Sequence, residues 1–447
     1  MPKRALSSAV YEAADVFEVN ELFFRNGWTD GLPVLPPTEE RVAEVLDVLG
    51  LEPDAVIGIE PVRRRRLTAE KVAINAVMAG CRPEDVPVVI AALQAMCEPA
   101  FNLHGSSAST GGSAPLLIVN GPIRRALGMN ATHNVFANGS RANATIGRAV
   151  RLVMINVLGS IPGQLDRSTL GHPGKFTFCI AEDEEDSPWL PLAQERGIPA
   201  GTSAVTVFAC ESPHQVMNEW THDPRDLLET YVAAMCANML TYSIWPGNYV
   251  LVIPKQQRDL FARAGWQKRH IREYLYERAR LKRRAWRTVG KQTLVHAGNE
   301  DQEFTALRTP DDLLVVAAGG AGRRLWRPHS PVVRSKIAGR HPAHCSFPPK
   351  RRKPMSLRVL DPTSSDEMAQ ACLAPRLPRL EGATIGLLDN GKRNVARFLD
   401  HLEALLRARY LVRGVVRRRK PDFSRPAPPE VIADFRGCDA LIAAVGD

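Results

Sequence analysis

A run of small hydroxylic residues and glycines, NLHGSSASTGGSAPLLIVNGP at 102–122, leads into an apolar strand over 116–119. Such a run leaves backbone N–H groups uncovered and lets a ligand come close to the main chain, so it reads as a cradle for an anion or a carboxylate. His104, Ser106, Ser107, Ser109 and Thr110 would supply polar contacts, and Gly111 and Gly112 the bare backbone. The next loop, MNATHNVFANGSRANAT, adds His133, Asn134, Asn138 and Arg141, and LGHPGKFTFCIAEDEEDSPW adds His172 and Lys175. These are candidate substrate-binding residues for a non-redox enzyme or a small-anion-binding protein. The same loop also reads as a tight Ser/Gly turn with no ligand. No Walker sequence, G-x-S-x-G elbow or G-x-G-x-x-G after a strand is present here. The acids Glu182, Asp183, Glu184, Glu185 and Asp186 lack EF-hand spacing and read as a solvated turn, so no metal site is expected.

A second concentration of chemistry lies at the carboxy end. ATIGLLDNGKRN specifies a strand over 384–388 and a turn through Asp389, Asn390, Gly391 and Lys392. A helix follows, with Val395, Phe398, Leu399, Leu402, Leu405 and Leu406 on one face. A strand near 411–416, the basic turn RRRKPDFSRPAPP, a helix from Pro429 and a strand over 440–445 complete βαβαβ, ending at Gly446 and Asp447. Ligands of parallel sheets gather at the carboxy ends of the strands, where Asp389 and Gly446 should converge. A buried parallel strand is normally followed by the helix that covers it, so this domain reads as incomplete, stopping at its own site.

The segments IGLLDNGKRN, LLRARY, VVRRRKP, RPAPPEVI and CDALIAAVGD resemble the UGSC family of bacterial (seleno)proteins. GWTDGLPVLPPTEER, HGSSASTGGSAPLLIVNGP and STLGHPGKFTFCIAEDEEDSPW resemble the region preceding that module in longer members. In the family the last strand runs into Cys or selenocysteine, Gly, Ser, Cys. The resemblance therefore implies that Asp389, Asn390, Lys392, Gly446 and Asp447 flank a redox motif absent from this chain. Selenocysteine is encoded by UGA, and reading UGA as stop would end the chain after Asp447. A selenol or low-pKa thiol at a helix N-terminus is ionised near neutral pH, and a cysteine three residues on resolves the intermediate. What the resemblance implies is a thiol- or selenol-dependent oxidoreductase acting on a small-molecule substrate, with a thiol or protein electron donor. Lys392 would lower the selenol pKa or hold a carboxylate, and Asn390 would donate a hydrogen bond. Similarity to the selenocysteine loop of the glycine and betaine reductase substrate-binding subunits adds reductive cleavage to that expectation. The polypeptide as it stands is expected to show little redox turnover, and no nicotinamide or flavin fingerprint is legible.

The elements that must hold these groups read as α/β. Helices are expected over 13–24, from Thr38, over 68–79, 84–96, 143–158, 227–240, 256–264 and 268–279, and strands over 176–181, 204–209, 249–254 and 313–318. With 447 residues, 45% of them hydrophobic, the chain has room for two cores. The net charge of +10 is concentrated: 319–360 holds eleven Lys or Arg and no Asp or Glu. That Pro/Arg-rich stretch reads as a tether, with a nucleic-acid patch as the third-ranked function. His341, His344 and Cys345 lie close together in it without an evident fourth zinc ligand. The division is thus a large mixed α/β domain at 10–318, a basic linker at 319–379 and an incomplete Rossmann-like βαβαβ domain at 380–447. Eight scattered cysteines with no C-x-x-C spacing, no signal-peptide h-region and no bilayer-length apolar run make a cytoplasmic protein with reduced thiols the expectation. A homo-oligomer is left open.

Overall fold

The computed structural model describes residues 5–321, 357–364, 377–392, 394–421 and 426–444. In the amino-terminal part, the strand Ala114–Asn120 pairs in parallel with Cys179–Ala181 and antiparallel with Ala204–Cys210. Its side chains alternate between two cores, as a pleated strand requires. Leu117 and Val119 pack with the helices Ala69–Ala79, Val86–Cys97 and Arg141–Asn156, whereas Ala114, Leu116 and Ile118 pack with Leu314, Val316, Val250 and Val252. Those last residues belong to a second, parallel pair, Tyr249–Ile253 with Leu313–Ala317. Its opposite face, through Leu251, Ile253, Leu313 and Val315, covers the helices Pro224–Thr241, Lys255–Arg263 and Lys268–Arg278. The result is a helix, sheet, sheet, helix stack, an α/β architecture in which Ala114–Asn120 and Leu313–Ala317 are deeply buried strands and Ala204–Cys210 and Tyr249–Ile253 are half-buried.

Local signals account for the helices. Thr38, Thr68 and Ser140 accept from the backbone N–H three residues on, and Gly50 and Gly80 end their helices in the left-handed region. Gly147, inside Arg141–Asn156, is required by close packing. A Cβ there would lie 2.4 Å from Thr177 Oγ1 and 2.7 Å from Phe178 N, so only glycine lets the segment before Cys179 lie against the helix. That contact places His172 and Lys175. The strand expected over 176–181 is correspondingly short, because Pro173–Lys175 forms a 3-10 turn and only Cys179–Ala181 pairs.

One stretch inside the sequence-read linker is ordered against the first domain. Leu357–Leu360 pairs antiparallel with Val10–Ala13, and Val359 and Leu360 are fully buried. Lys71 Nζ donates to Asp361 O at 2.9 Å and Asn75 Nδ2 to Pro362 O at 3.1 Å, which satisfies two polar side chains buried in the helix Ala69–Ala79. Four residues are too few for strand periodicity to show among flanking Arg and Pro. Val359→Lys is expected to destabilise the protein by about 3 kcal/mol, since it drives an ammonium into this core, while the exposed Arg358→Ala should stay within about 0.5 kcal/mol; urea unfolding midpoints check both. The rest of the basic tract, including His341, His344 and Cys345, lies outside the described residues.

The carboxy-terminal part is a parallel three-stranded sheet. Thr384–Asp389 is central, flanked by Gly414–Arg419 and Ala440–Ala444. The helix Val395–Tyr410 crosses it, with Leu399 and Leu406 joining Ile385 and Leu387 in one core. Gly386 is needed because Phe435 Cδ1 would lie 2.6 Å from a Cβ there.

Candidate functional site

The serines of the Ser/Gly run bond mostly within the run itself. His104, Ser106 and Ser107 lie on a short helix, Leu103–Ser107, rather than in an open loop. Ser106 Oγ donates to Leu103 O at 3.1 Å, Ser113 Oγ to Ser106 O at 3.0 Å, and Ser109 Oγ accepts from Gly111 N at 3.0 Å. The main chain of the run serves as a scaffold for a neighbouring loop. Thr110 O accepts from Thr169 N at 3.0 Å, Gly111 O accepts from Ser168 Oγ at 2.8 Å, and a Cβ on Gly112 would sit 3.5 Å from Gly171 Cα.

What that scaffold supports is a cluster of charge. Lys175 Nζ donates to Asp166 Oδ1 and Oδ2 at 2.9 and 2.8 Å and to Ser168 Oγ at 2.5 Å. Arg151 Nη2, from the middle of Arg141–Asn156, donates to Asp166 Oδ2 at 3.1 Å. Two cations therefore share one carboxylate, leaving one surplus positive charge. Burial alone would raise the Asp166 carboxyl, but the hydrogen bonds from Lys175 and Ser168 outweigh it and hold the group down at about 2. The cluster lines a cleft of about 800 Å³ whose other walls are Gly27, Thr29, Asp30 and Gly31 on one side and Ile155, Ile161, Leu170, His172 and Phe176 on the others. Asp30 adds no free charge, because Arg148 holds it through two bonds of 2.8 and 2.9 Å.

His172 meets this cleft in a defined tautomer. Its Nδ1 accepts from Gly174 N at 3.1 Å, so Nε2 carries the proton and donates to Cys210 O at 3.3 Å. Burial pulls its pKa below the usual range, against the opposing effect of the Cys210 carbonyl, so the ring is neutral at pH 7. The remaining candidates lie apart. His133 Nε2 sits 3.1 Å from Ala321 O beyond the strand Leu313–Ala317, and Arg141 caps the Gly80 carbonyl at 2.9 Å. Arg151, Asp166 and Ser168 were not expected from sequence. An arginine set among the apolar residues 150–155 is a signal that could have drawn attention to Arg151, but none marks Asp166 or Ser168.

Because the Asp166 carboxyl is depressed in the folded state, its contribution to stability is complete above pH 4 and is lost as pH falls towards 2. Wild-type protein should lose roughly 1–2 kcal/mol through this group between pH 4 and pH 2, and Asp166→Asn should flatten that part of the profile. Thermal unfolding across the range checks it.

The acids after Cys179–Ala181 are only in part a solvated turn, since Glu182 and Asp183 are buried. Glu182 pairs with Lys268 at 3.1 Å, Glu184 and Glu185 each with Arg124 at 2.9 Å, Asp186 with Lys255 at 2.9 Å, and Asp183 with the fully buried Arg258. Glu182 and Asp183 are thus paired inside the protein while Glu185 and Asp186 pair at its surface, and among the described residues no group of three or more metal-ligating side chains comes together. Five thiols of the amino-terminal part are unsuited to nucleophilic chemistry. Burial pushes Cys97 up to about 11 and Cys81 and Cys210 up to about 12, and it raises Cys179 and Cys236 as well.

At the carboxy ends of the parallel strands, Asp389 is buried and its Oδ1 accepts from Gly391 N at 2.8 Å, while Asn390 Oδ1 accepts from Lys392 N at 3.2 Å. These nested Asx bonds fix the turn at the strand exit, bringing Asp389, Asn390 and Lys392 together at that sheet edge. Residues 358–447 match the UGSC family. The UGSC segment thus begins on the strand docked against Val10–Ala13 and continues into the parallel sheet. Two of the UGSC-derived site residues, Gly446 and Asp447, lie outside the described residues. No curated protein and no solved structure matches the chain. Among the described residues no single helix is long and apolar enough to cross a membrane.

Proposed function

We propose that the amino-terminal domain binds a small carboxylate-bearing molecule in the cleft above Arg151, Asp166 and Lys175. The observation that carries this reading is the sharing of one buried carboxylate by two cations at the wall of an open cleft. A surplus positive charge in partly desolvated surroundings favours an anion far more than it would in water. The apolar side chains of Ile155, Ile161, Leu170 and Phe176 suit a short carbon skeleton, and the neutral His172 offers no competing charge. Ser168 and Lys175 resemble a nucleophile and base pair in spacing alone. All of the Lys175 contacts here are donations to Asp166 and Ser168, which favours an electrostatic role. Isothermal titration with small mono- and dicarboxylates tests the proposal: saturable binding that weakens with rising salt supports it, and no binding to the folded chain contradicts it.

We propose as a second reading, for the carboxy-terminal module matched to the UGSC family, thiol- or selenol-dependent reduction of the same small substrate by an external thiol or protein donor. In that reading Asp389, Asn390 and Lys392 shape the edge at which the redox group works. It is tested by selenium analysis and mild iodoacetamide alkylation of the protein isolated from its own cells. Rapid alkylation near neutral pH at a selenol or thiol in this module supports redox chemistry; labelling at no faster rate than the buried thiols counts against it.

A further inference from the structure

The structure assigns a second anion site, for a phosphoryl group, to Arg63, Arg65 and His104 beside Gly159. It is independent of the cleft reading. The hairpin joining Val56–Ile59 to Arg66–Thr68 carries four consecutive arginines. Its turn is held by Glu60, fully buried, whose carboxylate accepts from Val62 N at 3.2 Å and Arg63 N at 2.5 Å. Arg64 takes the left-handed conformation, with φ of 61°, an unfavourable state for a side chain of this kind. The consequence is an alternation: Arg64 and Arg66 point to solvent while Arg63 and Arg65 turn inward and are half-buried.

The two inward guanidinium groups converge on one place. A Cβ built on Gly159 would lie 3.8 Å from Arg63 Nη1 and 4.0 Å from Arg65 Nη2, so the missing side chain of this glycine leaves the space between them open. Their charge is poorly compensated. Glu60 is engaged with backbone N–H groups and stands 3.8 Å from Arg63 Nε, and Arg65 has no ion-pair or side-chain hydrogen-bond partner among the described residues. Arg63 Nε and His104 Nδ1 are both buried without a hydrogen-bond partner among the described residues. Buried donors are nearly always satisfied, and here two unsatisfied nitrogens accompany an unpaired guanidinium. Burial first and the nearby positive charge of Arg63 second hold the His104 pKa below its usual value, while burial likewise lowers that of Arg63. A tetrahedral dianion would relieve all of this at once, because each guanidinium offers a planar fork of donors matched to phosphate oxygens.

Titration of the full chain with inorganic phosphate, followed by calorimetry and by NMR of the histidine rings, tests the assignment, with glycerol phosphate and acetate as comparison ligands. Saturable phosphate binding is expected, with acetate at least tenfold weaker, a shift of the His104 resonances, and a rise of the His104 pKa on saturation. Tighter binding of glycerol phosphate than of phosphate identifies a phosphoester as the ligand, and the reverse identifies free phosphate. Arg65→Met should weaken phosphate binding at least tenfold, and Lys175→Met should leave it within twofold. The assignment is overturned if phosphate does not saturate, if His104 is unmoved, or if Lys175→Met rather than Arg65→Met abolishes binding. The His104 shift in the unmutated chain keeps the test decisive even where a variant folds poorly.

Discussion

Replacing Lys268 by methionine is expected to destabilise the amino-terminal domain by about 3–5 kcal/mol, the cost of leaving a buried carboxylate without its cation. Glu182 and Lys268 are 1% and 3% exposed, and their contact ties the helix Lys268–Arg278 to the end of the strand Cys179–Ala181. Glu182 also accepts from Asn120 Nδ2 and Leu192 N, each at 2.7 Å, and from Ala317 N at 3.3 Å. One carboxylate therefore joins both sheets and the outer helical layer. Lys268 has further acceptors, Leu190 O at 2.8 Å and Glu195 Oε2 at 3.2 Å, so its removal strands more than one partner. The double variant Glu182→Gln with Lys268→Met should recover at least 1 kcal/mol of the single-variant loss, because no charge is then left unpaired there. Denaturant unfolding of the two singles and the double gives the coupling directly. A loss under 1 kcal/mol for Lys268→Met would show that the pair is not buried as described.

Arg151→Met and Lys175→Met are each expected to weaken carboxylate binding in the cleft by roughly ten- to a hundredfold, the range for losing a charged hydrogen bond or its supporting charge. Both changes reduce the local balance around Asp166 from one surplus positive charge to none. The two should differ in stability. Arg151 is almost wholly buried within a core helix, whereas the Lys175 side chain retains 15% exposure on a surface loop. Lys175→Met is thus the cleaner probe, and Lys175→Arg, which keeps the charge, should restore part of the affinity. Equal affinity in wild type and Lys175→Met, measured by calorimetry on folded protein, would remove the cluster from the binding site.

Much of the framework was legible. Apolar runs bounded by turn residues announced the strands Ala114–Asn120, Leu313–Ala317 and Thr384–Asp389, and Thr68 with Gly80 marked both ends of one helix. The carboxy-terminal βαβαβ order emerged as a parallel sheet with its first strand central. Lys175 and His172 stood out in the sequence because a Gly/Pro loop before a strand is a recognisable place for function, and both line the cleft. Asp166 and Arg151 were not, since nothing in sequence spacing brings a loop aspartate to the middle of a helix fifteen residues away. The Ser/Gly run was singled out for its chemistry, and its serine hydroxyls at 106, 107, 109 and 113 make internal hydrogen bonds. Acids 182–186 suggested a solvated turn because their partners, Arg124, Lys255, Arg258 and Lys268, come from distant elements. Long-range charge pairing leaves no local pattern.

The most direct test is a crystal structure of the full chain soaked with a small dicarboxylate. The account predicts carboxylate density in the cleft between the loop Gly27 to Gly31 and the segment containing His172, with an oxygen within hydrogen-bonding distance of Arg151 or Lys175. Density only elsewhere, or an occupied cleft in which neither cation touches the ligand, would contradict it.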